Sequence, residues 1–452
     1  MNRHIITRLE QWKNSPHRKP LILRGARQVG KTWVMKEFGR RYFKNVAYIN
    51  FDNNAAMKAV FASDFDIPRI ILALSAESGV SIKPDETLII FDEVQEVPRA
   101  LSSLKYFCED ASEYAIIAAG SQMGVALHNG TSFPVGKVDL MTLYPLSFLE
   151  FLLACESEQI VSVLESGDWP LITALKPKLI SRMKEYFYVG GMPQAVQTFI
   201  DEQDWAKVRE VQNTLLEVYA EDFSKHASGS LSTRLKQVWS SLPAQLSKEN
   251  KKFMYGQIKS GARAKDFELA IQWLSDCGLI HLVHSVSKPG YPLKAYEELD
   301  SFKIYMNDTG LLCALGNTDI KSILDDNKFF VEFKGAVTEQ YVLQQLLSCT
   351  NFKPFYYSSP NSSGEIDFLI QSEDQIVPIE VKSAENLQAK SLKAFHQKYN
   401  NHYSVRTSLS DFRIDDWLTN IPLYAIFLIK DILISEKRTE TRAQPTGNAK
   451  IR

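Results

Sequence analysis

Pro20-Leu-Ile-Leu-Arg-Gly-Ala-Arg-Gln-Val-Gly-Lys-Thr32 is the stretch from which the rest of the chain can be read. Leu21-Ile22-Leu23 is a short apolar run suited to a buried strand, and from Gly25 to Thr32 the spacing is G-x-x-x-x-G-K-T. Residues 33–41 then carry helical patterning. A polyphosphate needs several backbone N–H groups aimed inward, and a tightly wound loop with glycines supplies them without side-chain clashes. The helix that follows adds unpaired N–H groups and the positive end of its dipole. The backbone of Gly25, Ala26, Arg27, Gln28, Val29 and Gly30 is therefore expected to cradle phosphate. Lys31 would reach the β/γ-phosphates and the Thr32 hydroxyl would ligate Mg²⁺. A chance glycine turn is the bland alternative, but strand, loop and helix fall in the required order.

Working outward, Val46-Ala-Tyr-Ile-Asn-Phe51 reads as a second strand, and Thr87-Leu-Ile-Ile-Phe-Asp-Glu-Val-Gln95 contains a third. Its continuous apolar run marks a strand buried on both faces of a parallel sheet. Ligands of such sheets lie beyond the carboxyl ends of the strands, where Asp92 and Glu93 fall. Asp92 is expected in the Mg²⁺ shell, and Glu93 is expected to polarise the attacking water. The plainer alternative is an acidic cap for a helix over 99–111. Tyr114-Ala-Ile-Ile-Ala-Ala119 is a fourth strand, ending in Gly120-Ser121-Gln122. Ser121 and Gln122 are candidate contacts to the γ-phosphate, and Gln95 a candidate to orient water. A strand-ending turn or a cap would look the same.

The bulk numbers narrow the class. At 452 residues the chain is long enough for about three domains. An apolar fraction of 45% and a charged fraction of 23% are ordinary for a globular protein. A net charge of -1 advertises neither nucleic acid nor membrane, although a local basic face would not register in that sum. The five cysteines are scattered and form no C-x-x-C pair, which argues for a reducing compartment and against a zinc site. Residues 1–12 lack the apolar core of a signal peptide. The apolar run 421–434 is interrupted by Lys430 and Asp431 and is too short to span a bilayer. The expected setting is cytoplasmic, without a membrane partner.

Arg24-Gly-Ala-Arg-Gln-Val-Gly-Lys-Thr32, Ile90-Phe-Asp-Glu-Val-Gln95, Gly120-Ser121 and Leu143-Tyr-Pro-Leu-Ser-Phe-Leu-Glu150 together resemble a family of prokaryotic AAA-type ATPases. Members carry a C-terminal domain of unknown function, and many have an arginine where Lys137 follows Gly136 here. The resemblance implies ATP as the nucleotide, Mg²⁺ as its metal, and a helical lid after the nucleotide domain. The helix-rich stretch that follows fits a lid, with Tyr186-Phe-Tyr-Val-Gly-Gly-Met-Pro193 marking a helix end and a new start. Helices over 235–246 and 265–277, Gly278-Leu-Ile-His-Leu-Val-His284 and Lys303-Ile-Tyr-Met306 follow in the order of a winged helix. On that reading residues 264–273 form a DNA-reading helix aided by Lys259, Arg263 and Lys265. A packing or dimerisation module weighs equally, because three basic residues are a thin electrostatic footprint.

A second constellation lies near the C-terminus. Gly364-Glu-Ile-Asp-Phe-Leu-Ile370 and Val377-Pro-Ile-Glu-Val-Lys382 alternate polar and apolar residues, so each reads as a strand with one buried face. Side chains two apart share a face, so a hairpin would bring Asp367, Glu380 and Lys382 together. Two carboxylates on neighbouring strands suit a hard cation, and a lysine beside them can orient the attacking water. Glu339, on a helix upstream, could add a ligand. This D-x(n)-E-x-K pattern is similar to the PD-(D/E)XK nuclease superfamily, with Ile366 where the motif's name has proline. A solvated hairpin with a surface ion pair is the alternative, and this fold also serves for binding after losing activity.

The expected fold class is α/β: a P-loop AAA-type parallel sheet at 1–155, a helical lid at 156–230 and a winged-helix-like domain at 231–320. A nuclease-like α/β domain at 321–436 and a flexible tail at 437–452 would complete the chain. The leading expectation is an ATP-hydrolysing protein acting on DNA or another nucleic acid. The alternative is a nucleotide-dependent regulatory switch with an inactive nuclease-like module, assembling with copies of itself or with a protein partner.

Overall fold

The computed structural model describes residues 1–120, 133–156, 158–227, 229–248, 251–324, 331–359, 364–385, 389–400 and 403–435. Ser121, Gln122 and the tail expected over 437–452 lie outside the described residues. The chain folds into two compact units: Met1–Leu146, Gly191–Ser241 and Tyr255–His281 form the first, and Ser147–Gly190, Leu242–Met254 and Leu282–Arg452 the second.

The first unit holds a five-stranded sheet in the order β2-β3-β4-β1-β5. Its strands are β1 (Leu21–Arg24), β2 (Asn45–Asn50), β3 (Thr87–Asp92), β4 (Ala115–Ala119) and β5 (Asp139–Thr142), all pairing in parallel. The apolar runs read from the sequence are buried throughout in β3 and β4. One sheet face, with Ile49, Phe51, Ile89 and Phe91, packs against Phe61, Leu74, Leu104 and Phe107 from the covering helices. Phe51, Phe61 and Phe91 meet edge to face at 5.2–5.9 Å. Each such side chain contributes about 1.5–3 kcal/mol by leaving water, which fixes the ends of β1 and β3 in place. β4 lies between β1 and β3, so the lysine-bearing loop and the acidic strand end are not on adjacent strands.

The second unit is built on an eight-stranded sheet in the order β12-β13-β11-β10-β9-β8-β6-β7. These strands are β6 (Ile280–Val286), β7 (Glu297–Met306), β8 (Phe355–Ser358), β9 (Glu365–Ser372), β10 (Gln375–Val381), β11 (Ser404–Ser408), β12 (Arg413–Ile414) and β13 (Leu418–Pro422). After the helix Val331–Cys349, β8, β9 and β10 form an antiparallel meander; the helix Lys390–Tyr399 then leads to β11, parallel to β10.

The segments expected as single domains at 156–230 and 231–320 each contribute to both units. The first changes unit at Gly190-Gly191, and both glycines are sterically required. A β-carbon on Gly190 would collide with Asp308 and one on Gly191 with the Leu146 carbonyl. The hairpin β6–β7, expected as the wing, is continuous with the large sheet through Ser285 beside Tyr356.

Candidate functional site

The loop after β1 is shaped by close approach. Gly25 has φ +145°, and a β-carbon there would run into the Leu143 carbonyl oxygen. The helix Lys31–Tyr42 starts directly after Gly30. Lys31 is buried, and its Nζ donates to the carbonyls of Gly25 at 2.9 Å and Ala26 at 2.8 Å. Burial pushes its ammonium down to about 8, against the pull of Glu93 and Asp92.

Thr32 Oγ1 donates to Asp92 Oδ2 at 2.7 Å, and the Tyr48 hydroxyl donates to the same oxygen at 3.0 Å. Asp92 Oδ1 accepts the Glu93 N–H at 3.1 Å. Burial, with Asp92 close by, raises the Tyr48 phenol above its ordinary value, so it remains a donor. Glu93 sits just past β3 in the left-handed region, φ 51°, and its Oε2 accepts from Gln95 Nε2 at 2.6 Å. Lys31, Thr32, Asp92 and Glu93 are thus brought to one end of the parallel sheet. Lys137 pairs with Glu109 at 2.8 Å.

Several residues that sequence reasoning missed hold this loop from outside. Arg3 Nη1 donates to the Val29 carbonyl at 3.1 Å and its Nη2 to the Tyr144 carbonyl at 2.6 Å. From the helix Trp205–His226, the Tyr219 hydroxyl donates to the Arg27 carbonyl at 2.8 Å, and Asp222 pairs with the Arg27 guanidinium at 2.6 Å. No spacing rule connects positions so far apart in the chain.

The helix expected to read DNA spans Ala264–Asp276 and buries Phe267, Ala270, Ile271, Trp273 and Leu274. Its exposed positions are Lys265, Glu268, Leu269 and Gln272, with Arg263 and Lys259 exposed just before it. Glu268 and a 65% exposed Leu269 interrupt the basic character of that face.

In the second unit β9 and β10 do form a hairpin, with Phe368 opposite Ile379, which puts Asp367 across from Glu380. Asp367 Oδ2 accepts the Val381 N–H at 2.8 Å. Glu380 Oε1 pairs with Lys382 Nζ at 2.6 Å, and its buried Oε2 has no hydrogen-bond partner among the described residues. The neighbour of Glu380 on β11 is Arg406, whose Nε donates to Asn420 at 2.9 Å. Glu339, expected as an added ligand, is engaged by Lys251 and by the Tyr305 hydroxyl at 3.2 Å. Lys303 is fully buried, bonded to Glu365 and 4.0 Å from Glu339. Burial alone would lower its ammonium, but Glu339, Glu365 and Asp367 hold it above the ordinary lysine value. Burial and the Glu339 charge push the Asp367 carboxyl up to about 7. Among the described residues no group of three or more histidines, cysteines, aspartates and glutamates is arranged to hold a metal ion, and no helix is long and apolar enough to cross a membrane.

Family models match three stretches of the chain: an AAA domain at residues 17–152, a Domain of unknown function (DUF8612) at 180–322 and a Domain of unknown function (DUF4143) at 334–426. Uncharacterized proteins of Mycobacterium bovis and Mycobacterium tuberculosis are each 24% identical over 378 residues, covering 81% of this chain and 71% of theirs. Similar solved structures include an Aeropyrum pernix ORC1 protein in complex with DNA, at TM-score 0.28 and 12% identity, covering 70% of this chain and 93% of that one. Cdc6p from Pyrobaculum aerophilum matches at TM-score 0.24 and 13% identity, covering 72% and 94%. The family match and the loop geometry agree on one region: residues 17–152 match an AAA domain, and the loop that carries Lys31 and Thr32 lies within them beside Asp92.

Proposed function

We propose that the AAA-type domain binds ATP with Mg²⁺ and hydrolyses it, and that the nucleotide state governs what the rest of the chain engages. The observation that carries this reading is the 2.7 Å hydrogen bond from Thr32 Oγ1 to Asp92 Oδ2. It joins a hydroxyl at the start of the P-loop helix to a carboxylate at the end of β3, two hard oxygen donors that suit Mg²⁺. The donors on Asp92 are the hydroxyls of Thr32 and Tyr48 and the Glu93 N–H, all neutral, so its negative charge remains available to a cation. A Mg²⁺ ion held by Thr32 and Asp92 would supply positive charge to the phosphoryl oxygens. Lys31 exchanges its two carbonyl partners for phosphate oxygens, and the phosphate charge restores the ammonium that burial disfavours. Glu93, steadied by Gln95, takes the proton of the attacking water. ATP is named over GTP on the family match. Lys31→Ala should abolish binding of a fluorescent ATP analogue while thermal unfolding stays cooperative; unchanged nucleotide affinity would refute the assignment.

For the C-terminal module the charge count favours a switch with an inactive, nuclease-like fold. The carboxylates Glu339, Glu365, Asp367 and Glu380 stand among the cations Lys251, Lys303, Lys382 and Arg406. Four carboxyl groups against four cations, with Asp367 itself pushed toward its protonated form, leave a divalent cation no net negative charge to neutralise, so this donor set does not fit Mg²⁺ and no cleavage step is derived from it. Its partners on this reading are a nucleic acid or a protein engaged through the fold's surface. Metal-dependent cleavage of nucleic acid remains the second reading, supported by the meander-and-helix order of β8 to β11 and by the unpartnered Oε2 of Glu380.

A further inference from the structure

We infer that Asp222 restrains the P-loop through Arg27, competing with bound phosphate for that side chain; the inference rests on the nucleotide reading above. Arg27 lies in the middle of the phosphate-binding loop and is held twice by the helix Trp205–His226: by the Tyr219 hydroxyl on its carbonyl and by Asp222 on its guanidinium. Tyr219 and Asp222 are three residues apart and share a helix face. The hydrogen bond to Asp222 is the strongest influence on the Arg27 charge, and Glu93 also acts on it. Arg27 therefore lies in the electrostatic field of the groups that surround the phosphates.

A nucleotide places several negative charges inside this loop. The Arg27 side chain is 47% exposed and so is not locked by packing, whereas the Asp222 side chain is 13% exposed. Phosphate attracts the guanidinium and repels the carboxylate, so the two anions are alternative partners for one cation. Competition of this kind is reciprocal: whatever strengthens the Arg27–Asp222 pair weakens nucleotide binding by the same factor.

Release of Asp222 would be felt beyond the loop. Phe223, the next residue, packs edge-on against Trp239 at 5.9 Å and Trp273 at 5.6 Å. Trp273 belongs to the buried side of the helix Ala264–Asp276, and the end of that helix returns to the loop, since a β-carbon on Gly278 would lie 3.3 Å from the Ala26 nitrogen. Loop, Asp222 helix and Trp273 helix form one contiguous packing circuit within the first unit.

The test is a double-mutant cycle in the full-length chain, read as the dissociation constant of a fluorescent ATP analogue with Mg²⁺. Asp222→Asn should tighten binding roughly two- to fivefold, the range of a partly exposed ion pair. Asp222→Glu keeps the charge and should restore wild-type affinity. Arg27→Ala should weaken binding, and adding Asp222→Asn to it should change nothing more. An unchanged or weaker affinity in Asp222→Asn overturns the inference, as does an equal effect of that substitution with and without Arg27. A wild-type chain that binds no analogue overturns the nucleotide reading as well, so the two failures are distinguishable.

Discussion

Asp92 with Glu93 in the first unit and Asp367 with Glu380 in the second are two acidic pairs whose neighbours differ in kind. Asp92 accepts its hydrogen bonds from two hydroxyls and a backbone N–H, all without charge, while Lys31 feels its field from the P-loop. Asp367 and Glu380 stand among ammonium and guanidinium groups of their own chain. A carboxylate held by neutral donors keeps its full field for an incoming cation, while one surrounded by lysines is already compensated. A motif gives the acids; the partners of those acids decide what they can still do.

Three perturbations put this contrast to the test. Glu93→Gln should lower the ATP turnover rate by about 10²–10⁴-fold with nucleotide affinity retained; a rate near wild type would remove Glu93 from the chemistry. Lys303→Met leaves Glu365 and part of the Glu339 charge uncompensated, and should cost on the order of 3 kcal/mol in denaturant unfolding. The same variant should acquire Mn²⁺ affinity in the second unit that the wild type lacks. Stoichiometric Mn²⁺ binding by the wild type, or plasmid nicking that Asp367→Asn stops, would reverse the contrast. The smallest effect is on pH. Phosphate raises the Lys31 ammonium from its free value of about 8, so ATP affinity is fully present below that pH. It should then fall by about tenfold per unit as pH rises above 8. Lys31→Arg should flatten that decline, and a level wild-type profile to pH 9.5 would take Lys31 off the phosphate.

What was legible in the sequence was contiguous. Residues 20–32 and 87–95 state their loop, strand and acidic end within one short window each, because a phosphate cradle and a buried parallel strand are local patterns. The hairpin that sets Asp367 against Glu380 was readable from alternation for the same reason. β5 was not read, since Asp139-Leu-Met-Thr142 carries no apolar run and pairs only because β1 offers it an open edge. Arg3, Tyr219 and Asp222 lie up to 195 residues from the loop contacts they make. Lys251 reaches Glu339 across 88 residues. A pattern can announce an acid, but the distant base that neutralises it becomes visible only when the chain is folded.

The alternation of chain between the two units bears on how the protein is made. Residues up to 146 supply the P-loop and the whole five-stranded sheet, yet the first unit is completed only by segments ending at 241 and 281. A ribosome moving from the first residue onward releases the nucleotide loop long before Tyr219 and Asp222 exist to grip it. It must also deliver Ser147–Gly190 for the other unit in between. The first unit has all its parts only once residue 281 has emerged, and a gene cut anywhere between residues 147 and 281 would divide both units.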